Sequence, residues 1–185
     1  MGMYRARDLV RVPGLLSLAR VPLAAAFPFA LEQPYAALAI LAAAGLSDIL
    51  DGWYARRFGQ VTPTGAAIDP ITDKVFVLTV AVTLVLGGQL SPGDVLLLST
   101  REAAELPLVF WVASSKSART HRATHPSANI PGKAATVFQF ATATAALFRV
   151  SHLRWMILFT SLAGAFAAAT YWIRAVREVR MAREA

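Results

Sequence analysis

Six apolar stretches, each about 20 residues long, are separated by short groups of turn-forming residues, and a helix of that length crosses the hydrocarbon core of a bilayer. They run from about Val12 to Leu31, Tyr35 to Tyr54, Ala66 to Leu86, Val95 to Ala113, Ala134 to Val150 and Trp155 to Ile173. Pro34, Gly87-Gly88, Ser91-Pro92-Gly93, Pro126 and Pro131-Gly132 fall between them, where chain reversal needs such residues. Composition agrees. Of the 185 residues, 56% are hydrophobic and 16% charged, whereas a soluble domain carries about 25% charged residues. The expected fold is all-α, an integral membrane bundle of six transmembrane helices. Residues 1–185 form a single membrane-embedded domain in this reading, because six spans leave no length for a separate soluble one. Arg20 and Pro22 interrupt the first stretch and no small-residue cleavage site follows it, so it reads as a retained helix rather than a signal peptide. The absence of cysteine excludes disulfides, thiolate metal sites and cysteine nucleophiles.

Basic residues give the orientation. Arg5, Arg7, Arg11, Arg56, Arg57, Lys116, Arg119, Arg122, Arg174, Arg177, Arg180 and Arg183 fall on one side of the expected topology, and only Arg149 and Arg154 on the other. By the positive-inside rule both termini and the Arg56 to Gly65 loop are cytoplasmic. The net charge of +7 would suggest nucleic acid in a soluble protein. Here the basic groups flank spans, so the lipid bilayer and its anionic headgroups are the expected partner, with no nucleic acid. Residues 1–11 read as a juxtamembrane amphipathic segment and residues 174–185 as a basic helix extension whose side chains snorkel to the headgroups. Lys116, Arg119, His121, Arg122 and His125 read as a cytoplasmic linker, and Trp111, Trp155 and Trp172 sit near span ends as an aromatic belt requires.

Against this apolar background, four carboxylates stand within residues 48–73. Asp48 and Asp51 are three apart and Asp69 and Asp73 four apart, so each pair projects from one face of its own helix. A short loop from Arg57 to Thr64 would bring both pairs together near the cytoplasmic ends. Ionised carboxylates at such close quarters repel one another unless cations sit among them. Oxygen ligands without histidine or cysteine favour Mg²⁺, Mn²⁺ or Ca²⁺ over zinc, and two ions suit four acids better than one. Gly52, Ala55 and Gly65 bracket the acids and leave room beside them, although glycine in a membrane helix also serves close packing. Arg56 places a guanidinium next to the site. That suits a phosphate-bearing ligand bridged by metal and makes little sense for a bare cation pathway.

The pattern Asp48-x2-Asp51-Gly52-x2-Ala55-Arg56-x8-Gly65-x3-Asp69-x3-Asp73 resembles the signature of the CDP-alcohol phosphatidyltransferases at every fixed position. The resemblance implies a six-helix membrane enzyme, usually a homodimer, in a prokaryotic cytoplasmic membrane with its active site on the cytoplasmic side. It would move a phosphatidyl group from CDP-diacylglycerol to an alcohol and release CMP. It implies further that Asp48, Asp51, Asp69 and Asp73 hold two Mg²⁺ ions, with Mn²⁺ as a substitute, and that Asp73 is also the general base. Gly52, Ala55, Arg56, Thr62 and Gly65 would then bind the CDP-linked donor.

For the acceptor, Arg101 and Lys133 are cations at membrane-helix positions, where such groups are candidates for function, and each could bind the phosphate of an anionic alcohol. The alternatives are an ion pair between Arg101 and Glu105 and snorkelling of Lys133. The Thr100-Arg101-Glu102 run and the fragment Pro131-Gly132-Lys133-Ala-Ala-Thr136-x2-Gln139 are similar to the phosphatidylglycerolphosphate synthase and cardiolipin synthase branches. So is Pro13-Gly14-Leu15-Leu16-Ser17-Leu18-Ala19-Arg20, with Gly14 and Ser17 where those branches carry Asn and Thr. Glycerol 3-phosphate is the expected acceptor and phosphatidylglycerol the alternative, with an inositol phosphate or amino alcohol behind both. A divalent-cation transporter is the reading from a different class, since it too would place acids inside membrane helices.

Overall fold

The computed structural model describes residues 12–59, 63–114 and 130–184, and among them it is all-helical, with seven helices. These are α1 (Val12–Ala30), α2 (Pro34–Arg57), α3 (Pro63–Leu86), α4 (Pro92–Leu98), α5 (Thr100–Ser114), α6 (Ile130–Leu147) and α7 (Leu153–Glu184). The expected segment at residues 1–11, the basic linker with Lys116, Arg119, His121, Arg122 and His125, and Thr62 lie outside the described residues. The chain divides into two compact units, Met1–Gln89 and Leu90–Ala185.

In the N-terminal unit α1 lies between α2 and α3 and packs on both. The reason is visible as a stripe along α1, where Gly14, Ser17, Arg20, Ala24 and Phe27 are buried at three- and four-residue intervals. Helix α2 answers with Ala37, Leu41, Ala44, Ser47 and Asp51, and α3 with Thr72, Phe76, Val80 and Leu84. The small residues let backbones approach closely. Each stripe becomes polar toward the same end, so Arg20 and Asp51 are buried because they continue a packing surface.

In the C-terminal unit α7 is central and packs on α4, α5 and α6. Gly132, Ala135, Thr142, Ala145 and Ala146 of α6 form its contact stripe, facing Ile157, Thr160, Ala167 and Ala168 of α7. The hydroxyls of Thr142 and Thr160 share a buried 2.8 Å hydrogen bond. Gly164 lets the start of α5 come close, since a Cβ there would stand 3.3 Å from the Arg101 Cβ. Trp172 Nε1 donates to the Ala104 carbonyl at 2.9 Å.

The helix ends follow from local chemistry. Pro34 and Pro92 open their helices at positions where a missing N–H costs nothing. Ser91 and Asp94 form a capping box at the start of α4. Helix α3 begins at Pro63, ahead of the Ala66 expected from hydropathy. The stretch from Val95 to Ala113, expected as one span, is two helices broken at Ser99. There the Thr100 hydroxyl donates to the Leu97 carbonyl at 2.5 Å, and such side-chain bonds compete with the helical ladder. The basic run after Ile173 continues α7 without interruption to Glu184, as expected.

Residues 34–57 and 153–177 are long and apolar enough to cross a bilayer, and a shorter apolar helix covers 14–30. Only 28% of the most apolar window of each long helix is buried within the protein. Large apolar side chains such as Phe29, Tyr35, Leu86, Ile130, Trp155 and Leu162 are more than 70% exposed. An exposed apolar surface of that extent needs a lipid or protein covering.

Candidate functional site

Asp48 and Asp51 lie in the last three turns of α2, and Asp69 lies in the second turn of α3. Although α2 and α3 are held apart by α1, their acids meet over it. One carboxylate oxygen from each of Asp48, Asp51 and Asp69 lies within 4.8 Å of the other two. Neighbouring oxygens around a divalent ion stand about 3 to 4 Å apart, so small side-chain shifts would let these three acids close on one ion.

At the centre is a group absent from the expected site. The Arg20 guanidinium, 1% exposed, lies 3.1 Å from Asp48 Oδ1 and 3.0 Å from Asp69 Oδ1, and donates to Asp51 Oδ2, all through Nη2. Ser17, one turn earlier on α1, donates to the same Asp51 oxygen at 3.0 Å. Arg20 Nε faces Ser47 Oγ at 3.4 Å, and Ser47 in turn donates to the Ala44 carbonyl at 2.8 Å. The acids differ in exposure, with side-chain values of 57% for Asp48, 41% for Asp69 and 6% for Asp51. Asp51 is therefore held from within while the other two open outward.

Asp73 stands one turn beyond Asp69 on α3, exposed and outside the three-acid cluster. Arg56 is exposed, and its guanidinium lies over Gly52, where a Cβ would come within 3.1 Å of Nη1. The glycine thus makes room first for the arginine of its own helix. Ala55 is half-buried on α2, and Gly65 is in the first turn of α3.

A second polar group forms in the C-terminal unit. Arg101 Nη1 donates to the Gly132 carbonyl at 2.9 Å and to Thr136 Oγ1 at 2.7 Å, and Nη2 donates to Glu102 Oε1 at 2.6 Å. Glu105, the partner expected from spacing, is the more distant acid at 3.9 Å from Nε. Gln139 Nε2 donates to the Leu98 carbonyl at 2.8 Å and to both Glu102 oxygens at 3.1 and 3.2 Å. Lys133 is exposed in the first turn of α6, next to the Gly132 carbonyl that Arg101 holds. The break at Ser99 places Arg101 in the first turn of α5.

With this geometry in hand, comparison with known proteins is decisive: the sequence model of the CDP-alcohol phosphatidyltransferases matches residues 10–172. The chain belongs to that family. Its match to a Streptomyces coelicolor protein named cardiolipin synthase (CMP-forming) is 33% identical over 136 residues, 69% of this chain and 60% of the relative. A Pseudomonas fluorescens protein named CDP-diacylglycerol--glycerol-3-phosphate 3-phosphatidyltransferase is 40% identical over 81 residues, 41% of this chain and 42% of the relative. An Aquifex aeolicus protein of the same name is 42% identical over 69 residues, 36% of this chain and 39% of the relative. The chain thus spans 60% or less of the length of these curated relatives.

As a CDP-alcohol phosphatidyltransferase, the chain brings three of its four signature acids together and adds Arg20 and Ser17 from a helix outside the Asp48 to Asp73 signature. The sequence held a signal for Arg20, which is a charge inside an otherwise apolar helix. For Ser17 the signal was only its place one turn before Arg20 on the same face.

Proposed function

We propose that this chain is a membrane-embedded enzyme that transfers the phosphatidyl group of CDP-diacylglycerol to the hydroxyl of glycerol 3-phosphate, releasing CMP. The observation that carries this reading is the convergence of Asp48, Asp51 and Asp69 inside a family match that spans residues 10–172. Asp48, Asp51, Asp69 and Asp73 are the residues that would hold Mg²⁺, two ions in all, with Mn²⁺ able to substitute. When bound, the ions neutralise charge on the diphosphate and on the departing CMP.

The remaining steps belong to the chain. Gly52, Ala55, Arg56, Thr62 and Gly65 bind the CDP portion of the donor, Arg56 through charge-assisted bonds to phosphate. Arg101 and Lys133 recognise the phosphate of the acceptor. Asp73 accepts the proton of the acceptor hydroxyl as its oxygen attacks the phosphatidyl phosphorus and the bond to CMP breaks. No covalent enzyme intermediate is needed. Six membrane spans, cytoplasmic termini and a homodimer complete the proposal, in which residues 1–185 act as one domain with the site on the cytoplasmic face of a prokaryotic membrane.

A second reading takes phosphatidylglycerol as acceptor and makes the product cardiolipin. It is favoured by the longer of the reported matches, to the Streptomyces protein named cardiolipin synthase. The divalent-cation transporter has no such support. The deciding experiment is CMP release by purified protein with CDP-diacylglycerol and Mg²⁺, supplied in turn with glycerol 3-phosphate, phosphatidylglycerol, an inositol phosphate or no acceptor. Release only with glycerol 3-phosphate is the expected result, and release only with phosphatidylglycerol would replace it by the second reading.

A further inference from the structure

Arg20 is the most deeply buried charged side chain among the described residues, and it lies outside the Asp48 to Asp73 signature. A guanidinium usually meets carboxylates through two parallel N–H···O bonds that use both prongs of its fork. Here oxygens of three carboxylates gather on the single nitrogen Nη2, while Nη1 is buried without a hydrogen-bond acceptor among the described residues. The acids surround a point, and the fork reaches that point with one prong only. Oxygens gathered in this way suit a compact cation better than a planar one.

We propose that Arg20 is the resident counter-ion of the acid cluster, that it competes with divalent ions for Asp48, Asp51 and Asp69, and that once displaced it pairs with the diphosphate of the donor. Metal and nucleotide would then bind cooperatively. The inference rests on the reading of these acids as a metal site for a CDP-linked substrate. Three carboxylates against one guanidinium leave excess negative charge, so the cluster attracts a cation even with Arg20 in place. Each ion that binds must nevertheless weaken the contacts to Nη2. A guanidinium does not lose its proton, and left buried without an anion it is costly. Ser47, whose hydroxyl lies 3.4 Å from Arg20 Nε, is neutral and cannot replace a carboxylate. The diphosphate of the donor is the anion the site receives, and Nη1 is the group with bonding capacity to meet it.

The test is Mn²⁺ binding to the full chain in detergent, followed by the electron paramagnetic resonance signal of free Mn²⁺, with and without CDP. In the parent protein CDP should tighten Mn²⁺ binding about tenfold, within the usual range of coupling between two ligands. Arg20→Gln should bind Mn²⁺ about tenfold more tightly than the parent when CDP is absent, and CDP should then change its affinity little. Arg20→Lys, which keeps the charge, should retain part of the coupling. Equal Mn²⁺ affinity in parent and Arg20→Gln, or undiminished coupling in the variant, overturns the inference. Since the variant leaves three acids unpaired, its thermal unfolding is compared with and without Mn²⁺. Recovery of the parent's midpoint by Mn²⁺ supports a counter-ion role, whereas a midpoint equally depressed in both conditions makes Arg20 a scaffold residue and overturns it. Absence of Mn²⁺ binding to either protein, with or without CDP, overturns instead the metal-site reading beneath the inference.

Discussion

Arg20 of α1 and Asp51 of α2 pair in the interior of the N-terminal unit, at 1% and 6% side-chain exposure, and Ser17 donates to the same Asp51 oxygen. This pair ties the central helix to one of its neighbours at the point where the packing stripes turn from apolar to charged. Asp48 and Asp69 join from the outside, so the scaffold and the acid cluster share one set of residues.

That sharing separates the acids energetically. In metal-free protein, Asp51→Asn keeps the shape of the side chain and removes one of three carboxylates on Arg20, whose contacts to Asp48 and Asp69 remain, so the cost should be about 1.5 to 3 kcal/mol, that of one buried hydrogen bond to a charged group. Asp48→Asn, at 57% exposure, should cost about 1 kcal/mol or less. Unfolding in detergent with chelator present measures the difference.

Asp73 makes the opposite prediction. It is exposed on α3, so Asp73→Asn should cost about 1 kcal/mol or less of folding stability, the range of an exposed charge interaction. As the proposed base, it should slow CMP release about 10²- to 10⁴-fold while CDP binding is retained. A variant that lost CDP affinity and turnover together would place Asp73 in donor binding instead.

Gly52→Ala should move stability and function in opposite directions. Alanine in the interior of a helix is favoured over glycine by about 1 kcal/mol, so the unfolding midpoint should rise. The new methyl group would meet Arg56 Nη1 at 3.1 Å and push the guanidinium aside, weakening CDP binding. In an Arg56→Ala background the same substitution should change CDP affinity little, which a double-mutant cycle reads directly.

Gly132→Ala tests the second polar group. Its Cβ would stand 2.5 Å from the Tyr171 hydroxyl oxygen, and overpacking of that kind costs about 1 to 3 kcal/mol. Tyr171→Phe removes the offending atom and should restore most of the loss. If the double variant is as unstable as Gly132→Ala alone, the strain lies elsewhere.

Metal removal gives the broadest check on the proposed function. Chelation should abolish CMP release, and Mg²⁺ or Mn²⁺ should restore it while Zn²⁺ does not, because the cluster offers only carboxylate oxygens.

Much of this was legible in the chain itself. Long apolar runs divided by Pro and Gly mark where helices begin and end, because backbone polar groups in an apolar setting must be satisfied within helices. The spacing of Asp48, Asp51 and Asp69 places the acids on helix faces, since a helix repeats every 3.6 residues. The family signature was complete in the residues from Asp48 to Asp73 and agrees with the match over 10–172. Local hydrogen-bond competition at Ser99 and Thr100 leaves little mark in the apolar pattern around it, yet it breaks one expected span into two helices.

Arg20 and Glu102 show what spacing could not supply. Glu105, one helical turn from Arg101 and its alternative partner by spacing, does lie 3.9 Å from it, but the fold adds the carboxylate of Glu102 and the carbonyl of Gly132 at shorter range. Likewise, nothing in the interval between Arg20 and Asp51 joins them. Helix periodicity is a local property that a sequence states directly, and it determined the helices and the faces carrying the acids. Which faces meet depends on how α1 is inserted between α2 and α3, a matter of packing between residues far apart in the chain. Only that tertiary arrangement put a guanidinium at the centre of the carboxylates.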